Sequence, residues 1–535
     1  MDMPSTEAAF APADMARWTA MVGRILKGAA PDSLDRTDED GLVTQALYPV
    51  EAGAAPALRQ LPAAPHARLA EGWQVVQTVP ADMSNAEILD ALSSGATGLG
   101  LTAGDAAVLD SQLAGVILPA VAISLEGAAA TPAQYRHLMA LAGAAAADTR
   151  VDLGLDPVDG FDTGMALHAD APASHHLFRS DGWHWHNRGV TAAQELGIVT
   201  AGCASVLRAA DAAGLDMAAA ARRISARLAL PADMFAGIII CRAMRRLWDG
   251  LLVGGGIDPV PLPIHGHASL RMMSVLDVDV NMLRVTTALL GGAIGGADAM
   301  TGYGHDLLTG ESAGARRQAR LAQVMMMAES HIGASLDPAA GAPFIETRTA
   351  ALAAAGWRCF QQIEQAGGLA ACRRSGLIAG WAQDAADARE VRLRGGDNDL
   401  LGVTLQPRAE AVAEVLPAFA DIRRPAALVE ELRRTAAVNA PRVLILCGDG
   451  ATGDDTAGDG AVRARLAIAG LAAVTLPAGD PGIEAARPDW VIGCGVDTPP
   501  AGIPAARFLA EGELLQADDR LAVLARLVGG LEAGS

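Results

Sequence analysis

Several places in this chain set side chains capable of chemistry close together. Asp181-Gly182-Trp183-His184-Trp185-His186 alternates two tryptophans with two histidines. If the run ends a parallel strand, His184 and His186 share one face and the tryptophans the other. A histidine at the C-terminal end of a barrel strand can donate a hydrogen bond to a substrate carbonyl, which makes His184 the first candidate. The alternative is a histidine that fills the barrel and bonds to backbone. His265-Gly266-His267 follows Pro261-Leu262-Pro263-Ile264. Two imidazoles two residues apart on a strand face the same way, but they make an incomplete metal site. No neighbouring acid in the sequence stands in for a third ligand, so a polar pocket lining is expected and no metal.

Glu329-Ser330-His331 falls where helical spacing places Leu321, Met325, Ala328 and Ile332 on the buried side. Adjacent helical residues point about 100° apart, so Ser330 and His331 do not form a nucleophile pair, and hydrogen bonding between helices is the expectation. The Met325–Met327 run reads as adaptable core packing. Gly448-Asp449-Gly450-Ala451-Thr452-Gly453 fits G-x-G-x-x-G after a strand. Asp449, Asp454, Asp455 and Asp459 would surround a pyrophosphate with negative charge, and no helix begins at once, so dinucleotide binding is not expected.

The elements that position these residues alternate between β-prone and helical runs from about residue 70. Candidate strands are 74–79, 98–102, 114–123, 151–155, 176–186, 261–267 and 293–300. So many units favour a parallel sheet closed as a (β/α)8 TIM barrel. Ile240, Met244, Leu247 and Leu251 lie within about 60° on a helix, with Arg242, Arg245, Arg246 and Asp249 opposite, which predicts an amphipathic outer helix. Residues 1–50 read as a docking arm with a helix from Met15 to Leu26, a polar loop from Asp32 to Gly41 and a Leu47-Tyr48-Pro49 exit; alone it cannot bury its apolar side. The barrel is expected over 51–395 and a linker over 396–440. A small flavodoxin-like α/β domain follows over 441–535, with strands at 442–447, 472–476 and 490–494 and a helix at 460–469.

Composition limits the partners. With 535 residues the chain exceeds one ordinary domain. Its net charge of −20 argues against nucleic acid or an anionic membrane, both of which need clustered Lys and Arg. Six cysteines, at 203, 241, 359, 372, 447 and 494, form no C-x-x-C pair, which points to a reducing compartment. The first residues carry early acids and no long apolar core, and no apolar run has spanning length, so a cytoplasmic location is expected.

Longer motifs then carry a resemblance: Trp18 with Leu26-Lys27-Gly28 and Leu47-Tyr48-Pro49, Gly72-Trp73-Gln74, HGHASLRMM at 265–273, NMLR at 281–284, GGADAMT at 295–301 and ESHIGASLDPAAG at 329–341. Together with Ile363–Gly368 and Leu401-Gly402-Val403, they resemble the methylmalonyl-CoA mutases, cobalamin-dependent acyl-CoA mutases, and most of all their small (beta) subunit. The resemblance implies a barrel that in the catalytic subunit threads coenzyme A along its axis, joined to a cobalamin-binding domain. It implies an isomerase that interconverts (R)-methylmalonyl-CoA and succinyl-CoA. His184 falls on the substrate histidine of the family's Gly-Tyr-His motif, with Trp183 in place of tyrosine, and His265 on another barrel histidine. The family's shielding tyrosine belongs near Gln77 and Thr78, whereas the three tyrosines here are 48, 135 and 303. The eleven histidines end at His331 and the cobalt-ligand position falls near Asp455; a carboxylate does not replace an imidazole as axial base. The expectation is a small subunit that is non-catalytic by itself and binds no cofactor. Adenosylcobalamin would sit on a large (alpha) partner in a heterodimer. The alternative is a barrel that binds the thioester itself and borrows a cobalamin domain from another chain. A chaperone that reloads a mutase is a further possibility, but it would need a nucleotide site.

Overall fold

Eight short parallel strands, β1 (Gln74–Val79), β2 (Gly98–Leu101), β3 (Ala122–Leu125), β4 (Arg150–Leu155), β5 (His176–Asp181), β6 (Ile224–Leu230), β7 (Ile264–Ala268) and β8 (Ala299–Thr301), pair in chain order and close when β8 bonds to β1. A computed structural model describes residues 14–49, 69–447 and 457–529. The expected TIM barrel is therefore present, with helices between successive strands.

Several bounds differ from expectation. Residues 114–121 form a turn and a short 3-10 helix, so β3 starts only at Ala122. Ala293 and Ile294 end the Val280–Ile294 helix rather than opening β8. β6, Ile-Ser-Ala-Arg-Leu-Ala-Leu, was not among the candidate strands. Its Ala and Leu content suits a helix equally well, and only its two hydrogen-bonded neighbours, β5 and β7, settle the choice.

The Ala192–Ala212 helix packs most closely on the Pro343–Gln365 helix. A side chain at Gly197 would put a Cβ 2.5 Å from that of Cys359, so the approach of the two backbones requires glycine there. Both helices cover the Met234–Gly254 helix, which corrects its expected polar face. Arg242 is fully buried and pairs with Asp337 and Glu346, and Arg245 reaches Asp298 at 3.0 Å and the Gly296 carbonyl at 2.6 Å. The Ala313–Ala328 helix also turns differently from its expected register. Ala315, Ala319, Gln323 and Met326 face inward, Met325 is 60% exposed, and Glu329, Ser330 and His331 lie on the surface. Among the described residues, none is joined to those three side chains by an interhelical hydrogen bond.

Within the arm lies the helix Met15–Ile25, none of whose residues is buried. The polar loop after it is an anchor. Asp38 pairs with Arg348, Glu39 with Arg389 and Arg392, and Asp40 accepts from Thr191 and from the Ala193 amide at the start of the Ala192–Ala212 helix.

The C-terminal unit is a separate parallel sheet of β9 (Val443–Cys447), β10 (Ala473–Pro477), β11 (Trp490–Cys494) and β12 (Phe508–Ala510), in the order β10-β9-β11-β12. The glycine-rich run 448–453 and the Asp455 position lie outside the described residues. The expected linker contains a helix, Ala426–Asn439, that belongs with this unit, because its Arg433 bonds the Ala467 and Ile468 carbonyls. Leu276, Leu393 and Val403 join Val429, Ile445, Leu466 and Leu524 in one apolar cluster. Within the same contact, buried Glu430 accepts from both guanidinium nitrogens of Arg424 at 2.8 Å, from Ser274 Oγ and from the Val275 amide.

Removing one member of a buried ion pair leaves the other uncompensated. Arg424→Met is therefore expected to lower stability by about 3–5 kcal/mol in urea denaturation, whereas Arg434→Met, a surface arginine paired with exposed Glu431, should cost under about 1 kcal/mol.

Candidate functional site in the barrel axis

An eight-stranded barrel has an interior just wide enough to be filled by side chains, usually branched apolar ones. Here the inward positions carry charge. Strand register sets Arg179 beside Ser225, Asp181 beside Arg227, Arg227 beside His265 and His267 beside Thr301. Arg179 reaches Asp152 (Nε to Oδ2, 3.0 Å), Glu126 (3.1 Å) and Ser124 Oγ (2.7 Å). Arg227 donates to Glu126 Oε2 at 2.5 Å and to Asp181, and Ser225 donates to Asp152 at 2.8 Å. Glu126 thus lies between two guanidinium groups. Burial alone would raise its pKa, but Arg179 and then Arg227 outweigh burial and hold the carboxyl down at about 2.

The histidines of β7 stand against this cluster. Their ring centroids are 4.2 Å apart; His265 Nε2 lies 2.9 Å from Thr301 Oγ1 and His267 Nδ1 lies 2.8 Å from Tyr303 Oη. Burial lowers the His265 pKa to about 4 and holds His267 well below the usual imidazole value, so both rings are neutral at pH 7. Glu126, His265 and His267 bring one donor atom each within 4.8 Å of one another. The acid that the sequence near His265 lacked comes from the end of β3, and only the fold brings it there.

Residues 183–188 are a helix, not a continuation of β5. The strand-type alternation therefore does not hold. Gly182 makes the turn, and a Cβ there would come within 2.7 Å of Glu195 Cγ. Trp183 lies over the barrel interior: its Nε1 donates to the Ala268 carbonyl at 3.0 Å, Arg227 stacks 5.5 Å from its ring centroid, and the rings of His267 and Tyr303 are 5.4 and 6.0 Å away. The His184 side chain is exposed, bonded to Arg188 at 2.6 Å and edge-on to Trp185, while its backbone amide donates to Asp181 at 3.1 Å. His265 joins the network through its side chain and His184 only through its backbone.

Reasoning from sequence does not reach Ser124, Glu126, Asp152, Arg179, Asp181, Arg227, Thr301, Tyr303 or the inward role of Trp183. A signal exists, because Ser124/Glu126, Arg179/Asp181 and Ser225/Arg227 are polar pairs at i, i+2 within or at the end of strands. Such pairs place charge on the face that must be buried.

At the opposite end, a cavity of about 430 Å³ opens at the N-terminal mouth of the barrel, lined by Arg150, Asp152, His176, Arg222, Ser225 and His265 among others.

Comparison with known sequences places this architecture. The family model described as methylmalonyl-CoA mutase matches residues 168–437, half of the chain. The chain belongs to the methylmalonyl-CoA mutase family. It is 35% identical over 394 residues to the methylmalonyl-CoA mutase small subunit of Streptomyces virginiae, across 66% of this chain and 64% of that one. The match to the relative thus spans slightly under two thirds of its length. Similarity to the "Probable methylmalonyl-CoA mutase small subunit" of Mycobacterium tuberculosis is 32% identity over 490 residues, 80% of this chain and 78% of the other. The large subunit of Streptomyces virginiae is 28% identical over 228 residues, 42% of this chain and 31% of its own. The mutase-family match takes in Arg179, Arg227, His265 and His267, while Glu126 and Asp152 precede it. No helix among the described residues is long and apolar enough to cross a membrane.

Beside the axis, this mutase-family barrel holds a second buried pair. Glu195 is fully buried, and burial pushes its carboxyl up to about 8 against the pull of the Ala229 amide. His186 is held well below the usual imidazole value, by burial first and by Arg271 and Arg389 after it. A protonated Glu195 donates to His186 Nδ1 at 3.1 Å, and His186 Nε2 donates to Ser269 Oγ at 2.8 Å, a neutral chain of hydrogen bonds. Between about pH 4.5 and 8 the folded state keeps a proton that the unfolded chain has released, so stability falls as pH rises through that window. Glu195→Gln keeps both hydrogen bonds and removes the titration. Measured against wild type by chemical denaturation, it should gain at least about 1.4 kcal/mol in relative stability on going from pH 4.5 to 8, which corresponds to a tenfold difference in proton affinity between the folded and unfolded chain.

Proposed function

We propose that this chain is the small, non-catalytic subunit of a two-chain methylmalonyl-CoA mutase. Its partner is a large subunit that carries adenosylcobalamin and interconverts (R)-methylmalonyl-CoA and succinyl-CoA. Adenosylcobalamin supplies the radical chemistry when bound to that partner. The observation that carries the reading is the filled axis. Where a catalytic barrel would pass the coenzyme A chain, Glu126, Arg179 and Arg227 interlock and Trp183 lies over them. Opening that path would separate buried opposite charges, at a cost of several kcal/mol per ion.

The donor set of the C-terminal unit points the same way. Its sequence offers no imidazole for a cobalt ion. The thiol at the end of β11, Cys494, is pushed up to about 12 by burial and by Glu511, so at pH 7 it is a neutral thiol in the absence of a metal. These residues do not fit cobalamin as an axial site, and no step is assigned to this chain through it.

The partner's surface is supplied in part by the helix Met15–Ile25. Its root is fixed to the barrel by Asp38, Glu39 and Asp40, while Met21 and Ile25 are 47% and 78% exposed. A helix of eleven residues with its apolar side in water is marginal alone and gains stability on a second surface.

A second reading, a barrel that binds the thioester itself and takes its cobalamin domain from another chain, is favoured by the cavity at the N-terminal mouth, where Arg150 and Arg222 suit an anionic ligand. Calorimetry of the isolated chain with succinyl-CoA separates the two. The proposed role expects no binding; a one-to-one isotherm would replace it with the second reading.

Two outcomes are expected with the assembled complex. His184→Ala should leave kcat and KM within about twofold of wild type, because the side chain lies off the axis; a loss of a hundredfold would return catalysis to this chain. Met21→Asp with Ile25→Asp should weaken association with the large subunit at least tenfold, about 1.4 kcal/mol, by titration in an analytical ultracentrifuge, with the melting temperature of the isolated chain unchanged.

A further inference from the structure

His267 is 4% exposed, and its Nε2 is buried without a hydrogen-bond partner. The ring is not misplaced: Nδ1 is held by Tyr303 Oη, and the neighbouring His265 is held through Nε2 by Thr301 Oγ1. Each imidazole thus spends one nitrogen on a hydroxyl that orients it, and the other nitrogen is left over. Glu126 has a similar remainder. Oε1 accepts from Ser124 and pairs with Arg179 at 3.1 Å, while Oε2 accepts from Arg227 alone, so one lone pair is open. One ligand-capable atom from each of Glu126, His265 and His267 lies within 4.8 Å of the other two.

We propose that Glu126, His265 and His267 form a binding site for one borderline divalent transition ion, of the zinc, cobalt or ferrous class. The donor set decides the class, since two imidazoles with one carboxylate and no thiolate match these ions better than calcium or magnesium. Thr301 and Tyr303 play the outer-shell role of hydroxyls that fix each ring and leave its second nitrogen to the metal. Three protein ligands leave a fourth position for water.

Charge permits the ion and limits its affinity. Glu126, Asp152 and Asp181 outnumber Arg179 and Arg227 by one, so the ion pairs around the site leave an excess of carboxylate before an ion enters. Two guanidinium groups on the liganding carboxylate weaken its hold compared with an isolated site of the same donors. Of the three, His265 also lines the cavity of about 430 Å³ at the N-terminal mouth, the side from which an ion would approach. The site stands on these contacts alone and does not rest on the subunit role proposed above.

The test uses the full chain, stripped with a chelator and dialysed against cobalt(II) chloride. Wild type is expected to take up about one equivalent, with visible d–d absorption of low-symmetry cobalt that zinc displaces. His267→Gln should reduce affinity at least tenfold and remove the bands, while His331→Gln, on the exposed surface, should leave both unchanged. Should His267→Gln fail to fold, Tyr303→Phe takes its place: it keeps all three donors, frees the His267 ring and is expected to weaken uptake about tenfold or more. No uptake by folded wild type, or uptake equal in wild type and every axial variant, would overturn the proposal.

Discussion

Glu126 and its two arginines are the constraint on which the rest of the barrel depends. A carboxylate on the axis of a narrow barrel survives only if positive charge reaches it, and Arg179 and Arg227 do so from adjacent strands. Each guanidinium then needs a second anion, which Asp152 and Asp181 provide. The strands from β3 to β6 are therefore held in register by ion pairs as well as by their ladders. The network puts opposite charges, costly to part, where a barrel usually carries branched apolar side chains.

The surroundings serve that arrangement. Trp183 packs its ring against Arg227, His267 and Tyr303 because the chain leaves β5 as a helix at Gly182, where neighbouring Glu195 leaves no room for a side chain. Asp40 reaches from the arm to the start of the helix that carries Glu195. Arm, outer helix and axis are consequently one connected structure. The C-terminal sheet is joined differently, through an apolar cluster and the buried Arg424–Glu430 pair.

Much of the scaffold was legible because its signal is local. Runs such as Gln-Val-Val-Gln-Thr-Val at β1 and Trp-Val-Ile-Gly-Cys at β11 carry β-branched residues at strand length, and the structure keeps both within the expected bounds. The failures share a cause too. β6 reads equally as helix until two strands flank it, and the Trp-His alternation at 183–186 imitates a strand while the backbone turns. In the site, His265 and His267 were visible as a pair, but Glu126, about 140 positions earlier, has no local mark that ties it to them.

Residue order alone determined the family, the alternating architecture, the separate C-terminal sheet and the absence of an imidazole beyond His331, since each depends on identity and local spacing. Tertiary structure decided which side chains meet. It sent the His184 side chain outward, turned Trp183 inward, buried Arg242 and brought opposite charges from β3 to β6 together in the barrel interior. The physical reason is that barrel closure sets the register among strands distant in sequence, and the electrostatics of a buried group depend on that register and not on its neighbours along the chain.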